Sequence, residues 1–176
     1  MGTMEINPER RRFLRVAPVA AAAGWALADA SLFGMPAAAQ TAATAEGSPF
    51  EVISGQQLAD DVKAVQSDSG NKTLYQSENL AMVMTTEISK SAKEFEWHEE
   101  RDHIFHILDG ATTYELGGKP QNAHSPKPNE WLAPASDGAT TVELKAGDVL
   151  VIRRGTPHKR TTKESVTFVL ISPQTV

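Results

Sequence analysis

The sequence predicts a small all-β domain behind one short helix, and three observations carry that prediction. From Gly70 onward the chain breaks into short segments rich in Val, Ile, Thr and aromatic residues. They lie near 72–77, 79–87, 93–98, 103–109, 111–116, 139–144, 148–152 and 164–172. Turn formers separate them, among them Asp109-Gly110, Gly117-Gly118 and Ala146-Gly147-Asp148. The length of 176 residues fits one domain plus a tail, and 40% apolar residues is enough for one buried core but below a membrane protein's share. Many short strands with regular turns and no visible internal repeat point to a sandwich or barrel.

The elements before this region differ in texture. Residues 9–15 read Glu-Arg-Arg-Arg-Phe-Leu-Arg, and an alanine-rich apolar run follows from Val16 to Ala28. That run is shorter than the roughly 20 apolar residues a spanning helix needs, and Asp29 and Pro36 break its continuation. Ala37-Ala38-Ala39 then supplies a small-residue cleavage pattern before Gln40. Basic, apolar and small-residue regions in that order make residues 1–39 an export signal, removed from the mature protein. The stretch from Arg10 to Arg15 resembles a twin-arginine signal: Arg-Arg, one residue, Phe-Leu, then a basic residue, with Glu9 where Ser or Thr is usual. The resemblance implies a periplasmic or secreted protein that crosses the membrane already folded, with a cofactor inside if it has one. Residues 40–49 read as a linker and 50–176 as the folded domain. Phe50 to Ser54 is a candidate short strand. Gln56 to Gln66 carries Leu58, Val62 and Val65 at helical spacing behind Ser54 as a cap. The stretch from Gly118 to Gly138, rich in Pro, Asn, Ser and Lys, is too long and polar for a hairpin turn and reads as a functional or disordered loop.

Composition excludes several functions. The net charge is −5, and the four arginines of the first 39 residues outnumber Glu5, Glu9 and Asp29, so the remainder is acidic too. Such a domain lacks the electrostatic footprint for nucleic acid or an anionic membrane surface, and no stable membrane insertion is expected once the signal is gone. With no cysteine, disulfides, thiolate chemistry and Cys-type zinc sites are all ruled out.

The chemistry concentrates in two segments. One runs from Glu96 to Gly110 and includes His98, His103 and His106; the other runs from Gly147 to His158. Side chains on a strand alternate faces, so Glu96 and His98 point the same way, and His103 shares a face with Phe105 and Ile107. His106 falls on the opposite face and reads as packing or interface. His158 follows a Gly-Thr-Pro turn. His124 lies in the long polar stretch and reads as solvated.

These segments resemble the two signature motifs of the cupin superfamily. In the first, Glu96 stands at the first His position, His98 at the second, and His103 where the family has Glu, with six residues before Gly110. In the second, Gly147, Gly155 and His158 match, and Arg153 replaces a Pro. The resemblance covers about residues 72–172 and implies a small jelly-roll, or double-stranded β-helix, barrel. It implies one divalent transition metal ion, with Glu96, His98, His103 and His158 as ligands. Glu96 and His103 have exchanged residue types while the inventory of three His and one Glu is kept. Imidazoles with one carboxylate suit Mn, Fe, Co, Ni, Cu or Zn. Four protein ligands on an octahedral ion leave two adjacent positions for a chelating, oxygen-rich small molecule, or for that molecule and O₂.

Further residues follow from strand faces. Arg160 shares the face of His158 and is a candidate for holding a substrate carboxylate; Tyr114 is a second candidate for contacting a ligand. Arg153 and Arg154 read as surface. Phe95, Trp97 and Ile104 face away from the ligands, toward a second layer or a subunit interface, and Trp131 with Leu132 is suited to anchor the long stretch. The expected protein is an exported metalloenzyme of oxygenase, isomerase or lyase type, with Glu96 doubling as a proton acceptor. The competing expectation is a barrel that binds or senses a small ligand without turnover. The family resemblance also implies a homodimer.

Overall fold

The computed structural model describes residues 50–174. The export signal expected at 1–39 and the linker expected at 40–49 lie outside the described residues. Phe50–Ser54 forms no strand; its role is to lead into helix α1 (Gly55–Asp68). The Ser54 hydroxyl accepts the Gln57 N–H at 3.1 Å, and Ser69, at φ 47°, ends the helix in the left-handed region. Buried Val65 and half-buried Leu58 and Val62 form the inward stripe of α1 and pack with Met84, Leu108, Val169 and Ile171 of the sheet behind it.

Eleven strands follow in the described residues: β1 (Asn71–Gln76), β2 (Leu80–Ser91), β3 (Phe95–His98), β4 (His103–Leu116), β5 (Lys119–Gln121), β6 (His124–Lys127), β7 (Glu130–Ala133), β8 (Ala135–Asp137), β9 (Thr140–Lys145), β10 (Val149–Ile152) and β11 (His158–Pro173). The main sheet runs β1-β2-β11-β3-β7-β6, and β4 joins it by pairing with β11, β9 and β10; β5 and β8 form a separate ribbon. All pairings are antiparallel. The long strand β11 organises the barrel. It pairs with β2 from Thr161 to Pro173, with β4 at both ends, and with β3 at His158↔Glu96. Phe105, Ile107, Tyr114, Leu144, Ile152, Val166, Phe168 and Leu170 fill the interior. The result is the small all-β barrel expected from the sequence, with its short N-terminal helix.

Two expected features differ. Asp109-Gly110 is a bend inside one strand and not a turn between two. Gly110 sits at φ 72°, and a Cβ there would lie 2.1 Å from the Ser165 carbonyl oxygen, where β4 passes a bulge of β11. Only glycine satisfies both demands. Gly110→Ala is therefore expected to cost more than about 2 kcal/mol. An unchanged urea midpoint would contradict this account of the bend.

The second difference is the stretch from Gly118 to Gly138, which folds into the four short strands β5 to β8. Its Pro- and Asn-rich composition has no strand period of its own. The extended conformation comes from pairing, chiefly of β7 with β3 in the register Phe95↔Ala133, Glu96↔Leu132, Trp97↔Trp131 and His98↔Glu130.

Candidate metal centre

Three strands deliver one histidine each to the same place. His98 ends β3, His103 begins β4 and His158 begins β11. A turn of four residues separates the first two, and Gly155, at φ 74°, donates its N–H to the His98 carbonyl at 2.7 Å, which ties the third segment to the first. All three side chains are buried, and one ligand atom from each lies within 4.8 Å of the others. Their ring centroids are 4.7 Å apart for His98 and His103, 5.4 Å for His103 and His158, and 5.9 Å for His98 and His158.

The orientation of two rings follows from outer partners. The Nδ1 of His158 lies 2.9 Å from the Thr156 carbonyl oxygen, which can only accept, so this nitrogen carries a proton, and in the neutral ring Nε2 then holds the lone pair. His98 meets a carboxylate in the same way: its Nδ1 contacts Glu130 Oε2. The other oxygen of Glu130 accepts from Arg101 Nη2 at 2.9 Å. The Arg101 guanidinium lies against the His98 ring, 3.0 Å from Nδ1 and 3.4 Å from Nε2. Arg101 and Glu130 are both buried. A cleft of about 150 Å³ borders His98, Arg101, Lys127, Asn129 and Glu130.

This donor set fits a transition-metal ion. Metal–imidazole bonds of about 2.1 Å place ligand atoms about 3–4 Å apart, so the three rings need only a small contraction to close on one ion. Imidazoles buried together, with no thiolate, suit the divalent ions of the first transition row.

Glu96 is beside the cluster without joining its tightest part. Its Oε1 lies 3.7 Å from His158 Nε2, and its side chain is 26% exposed. Tyr114 and Arg160 lie deeper in the barrel and bind each other. Arg160 donates to the Tyr114 hydroxyl at 2.9 Å and, through Nε and Nη2, to both oxygens of Glu87 at 2.9 and 2.7 Å. The guanidinium carbon also lies 4.5 Å from the Phe168 ring centroid, 5.5 Å from that of Phe105 and 5.6 Å from that of Tyr114. Burial pushes the Glu87 carboxyl up, but the Arg160 and Lys90 charges and hydrogen bonds outweigh it and hold it below its ordinary range.

Outside the site, His106 is exposed, and so is His124, which meets Glu94 at 3.2 Å. Arg153 and Arg154 are exposed. Phe95 is buried within the chain itself. Trp97 stacks on Trp131 at 5.9 Å with rings 6° apart, and the Trp131 indole donates to Glu99 at 2.7 Å, which anchors β7 to the barrel. Glu130 and Arg101 are the site residues that sequence reasoning missed. A Glu preceding the aromatic Trp131 was the one available signal, and it lay in a stretch that reads as loop.

No protein-family model matches the chain, and no curated protein sequence matches it. Solved structures do. A protein of Bacillus halodurans superposes with a TM-score of 0.52 over 75% of this chain and 86% of its own, at 15% identity. Other neighbours include a cupin superfamily protein of Desulfitobacterium hafniense, with TM-score 0.43, 16% identity, and 60% and 76% of the two chains covered. KdgF of a Halomonas species gives 0.40, 21%, and 60% and 80%. The fold is a small all-β barrel. At such identities the likeness concerns fold alone, and the reading of the site rests on its own residues.

Proposed function

We propose that this chain is an exported, mononuclear metal-binding cupin that acts on an oxygen-rich, chelating small molecule. The observation that carries the proposal is the convergence of His98, His103 and His158, buried and within 4.8 Å of one another at the starts or ends of three strands. These three residues would hold the ion, with Glu96 as the adjacent carboxylate. When bound, a divalent ion supplies Lewis-acid or O₂-activating chemistry, of the kind used by oxygenases, isomerases and lyases. The chain's own residues bind, orient and exclude water around it. Glu96, partly exposed beside His158, would take a proton from a substrate hydroxyl. Elemental analysis of purified protein is expected to find one equivalent of a first-row transition metal per chain; substoichiometric metal with no recovery on reloading would remove the proposal.

One observation favours the competing reading of a barrel that holds a ligand without turnover. Arg160, which a substrate could use, is engaged with Glu87, and the Tyr114 hydroxyl with Arg160. Screening chelating hydroxyacids, diketones and catechols for O₂ uptake or product separates the readings: tight binding without turnover under any metal supports the second.

Export rests on Arg10 to Arg15, the apolar run to Ala28 and Ala37-Ala38-Ala39. A reporter fused to residues 1–39 should reach the periplasm and stop doing so when Arg10 and Arg11 become Lys. A homodimer is supported by the apolar exposed side chains of Val149 and Val151 on β10, a strand that among the described residues pairs with β4 alone. A monomeric mass by light scattering at micromolar concentration would count against it.

A further inference from the structure

We infer that Glu130, with Arg101 behind it, is a positioning residue that sets the tautomer and orientation of His98 for the metal. The inference rests on the metal reading above and goes beyond it by assigning a role to the stretch from Gly118 to Gly138.

Register places the two residues together. His98 and Glu130 are direct cross-strand partners of β3 and β7, so their side chains rise from neighbouring points on one face. Each oxygen of the carboxylate has a separate task. Oε2 contacts His98 Nδ1, and Oε1 accepts from Arg101 Nη2 at 2.9 Å. A carboxylate can only accept, so the Nδ1 of His98 carries a proton toward Glu130, and in the neutral ring this leaves Nε2 with the lone pair a metal requires. The buried Arg101 offsets the charge of Glu130 and holds it against the ring. Burial makes the arrangement costly unless every charge is paired, and the three groups pair one another.

His158 is oriented by a different device, the Thr156 carbonyl, which is part of the turn that precedes it. The two rings are thus set by independent outer partners. One is a local backbone group. The other is a carboxylate brought from 32 residues away by the strands of the polar stretch. Stacking of Trp131 on Trp97, in the adjacent register pair, fixes β7 against β3 and so fixes the height of Glu130. Outer partners of this kind usually change metal affinity 10–100-fold when removed.

The test uses the whole mature protein and Zn²⁺ as the probe. Affinity is measured by competition with a chelator for wild type, Glu130→Ala and Glu130→Asp, and the His98 tautomer of the metal-free proteins is read from its ring ¹⁵N shifts. Glu130→Asp withdraws the carboxylate by one methylene while keeping its charge beside Arg101, which guards against a variant that does not fold. Both variants are expected to bind Zn²⁺ about 10–100-fold more weakly, and His98 is expected to lose its Nδ1–H preference. Affinities within about 3-fold of wild type would overturn the inference. So would weaker binding with an unchanged His98 tautomer, because Glu130 would then act through the fold and not through the ring. A wild-type chain that binds no Zn²⁺ or other transition metal would overturn the metal reading and this inference together, whereas a metal-binding wild type with indifferent Glu130 variants removes only the latter.

Discussion

Replacing His158 or His103 with Ala is expected to abolish stoichiometric metal binding, with affinity falling by more than about 100-fold. Removing an outer hydrogen-bond partner of a metal ligand already costs 10–100-fold, and loss of a ligand itself exceeds that. The centre has no spare imidazole to take over, since His106 and His124 are both exposed and outside the cluster. Glu96→Gln is expected to cost less, because its carboxylate stands 3.7 Å from His158 Nε2 and is partly solvated. Chelator competition with metal-free protein measures these losses, and circular dichroism checks that the variants fold. His103 needs that check most, being 1% exposed with Phe105 packed on its edge at 5.7 Å. An Ala variant that keeps one equivalent at wild-type affinity would take that histidine out of the centre. Wild-type protein should also be stabilised by the ion: at 1,000 times its dissociation constant the gain is about 4 kcal/mol.

Arg160→Met is expected to destabilise the fold by about 3 kcal/mol. The substitution leaves Glu87 buried, with Lys90 as its remaining cation, and strips a guanidinium from among Phe105, Tyr114 and Phe168. Adding Glu87→Gln to Arg160→Met should recover part of the loss, because the uncompensated charge is then gone. The same pair predicts a pH dependence. The folded-state carboxyl of Glu87 lies below its ordinary value of 4.5. The unfolded chain therefore takes up this proton first as pH falls. The contribution is complete above about pH 4.5 and is lost as pH drops through the folded value. Urea midpoints of wild type should fall as pH drops below about 4.5, and Glu87→Gln should flatten that slope. An identical slope in both proteins would mean that Glu87 is not the group responsible.

The parts of the fold and site that were legible in the sequence are those fixed by local pattern. Period-two alternation puts His103, Phe105 and Ile107 on one face of β4, and the turn at Gly155-Thr156-Pro157 sets up His158. Those signals need no knowledge of a partner strand. Gly110 was read as a turn because Asp-Gly is a turn dipeptide; it bends a continuous strand because β11 crosses it, at a separation of more than 50 residues. Glu130 and Arg101 were illegible for a related reason. The pairing of β7 with β3 lends an extended form to residues with no strand signal, and only that pairing reveals that Glu130 faces His98. Strand alternation puts Arg160 on the face of His158, but a solvent-facing charge beside Lys159 and Lys163 is an equally open reading of the sequence; its partner Glu87 lies on β2, 73 residues earlier, and no local pattern announces it. In each case the missing information is a long-range register.

The central claim is that His98, His103 and His158 hold one metal ion inside the barrel. Diffraction from crystals of the purified protein, collected on both sides of the absorption edges of Mn, Fe, Co, Ni, Cu and Zn, tests it most directly. A single anomalous peak about 2.1 Å from a ring nitrogen of each of the three histidines is the result predicted. A barrel with no anomalous peak between these rings after metal loading, or with its only peak elsewhere, would contradict the account.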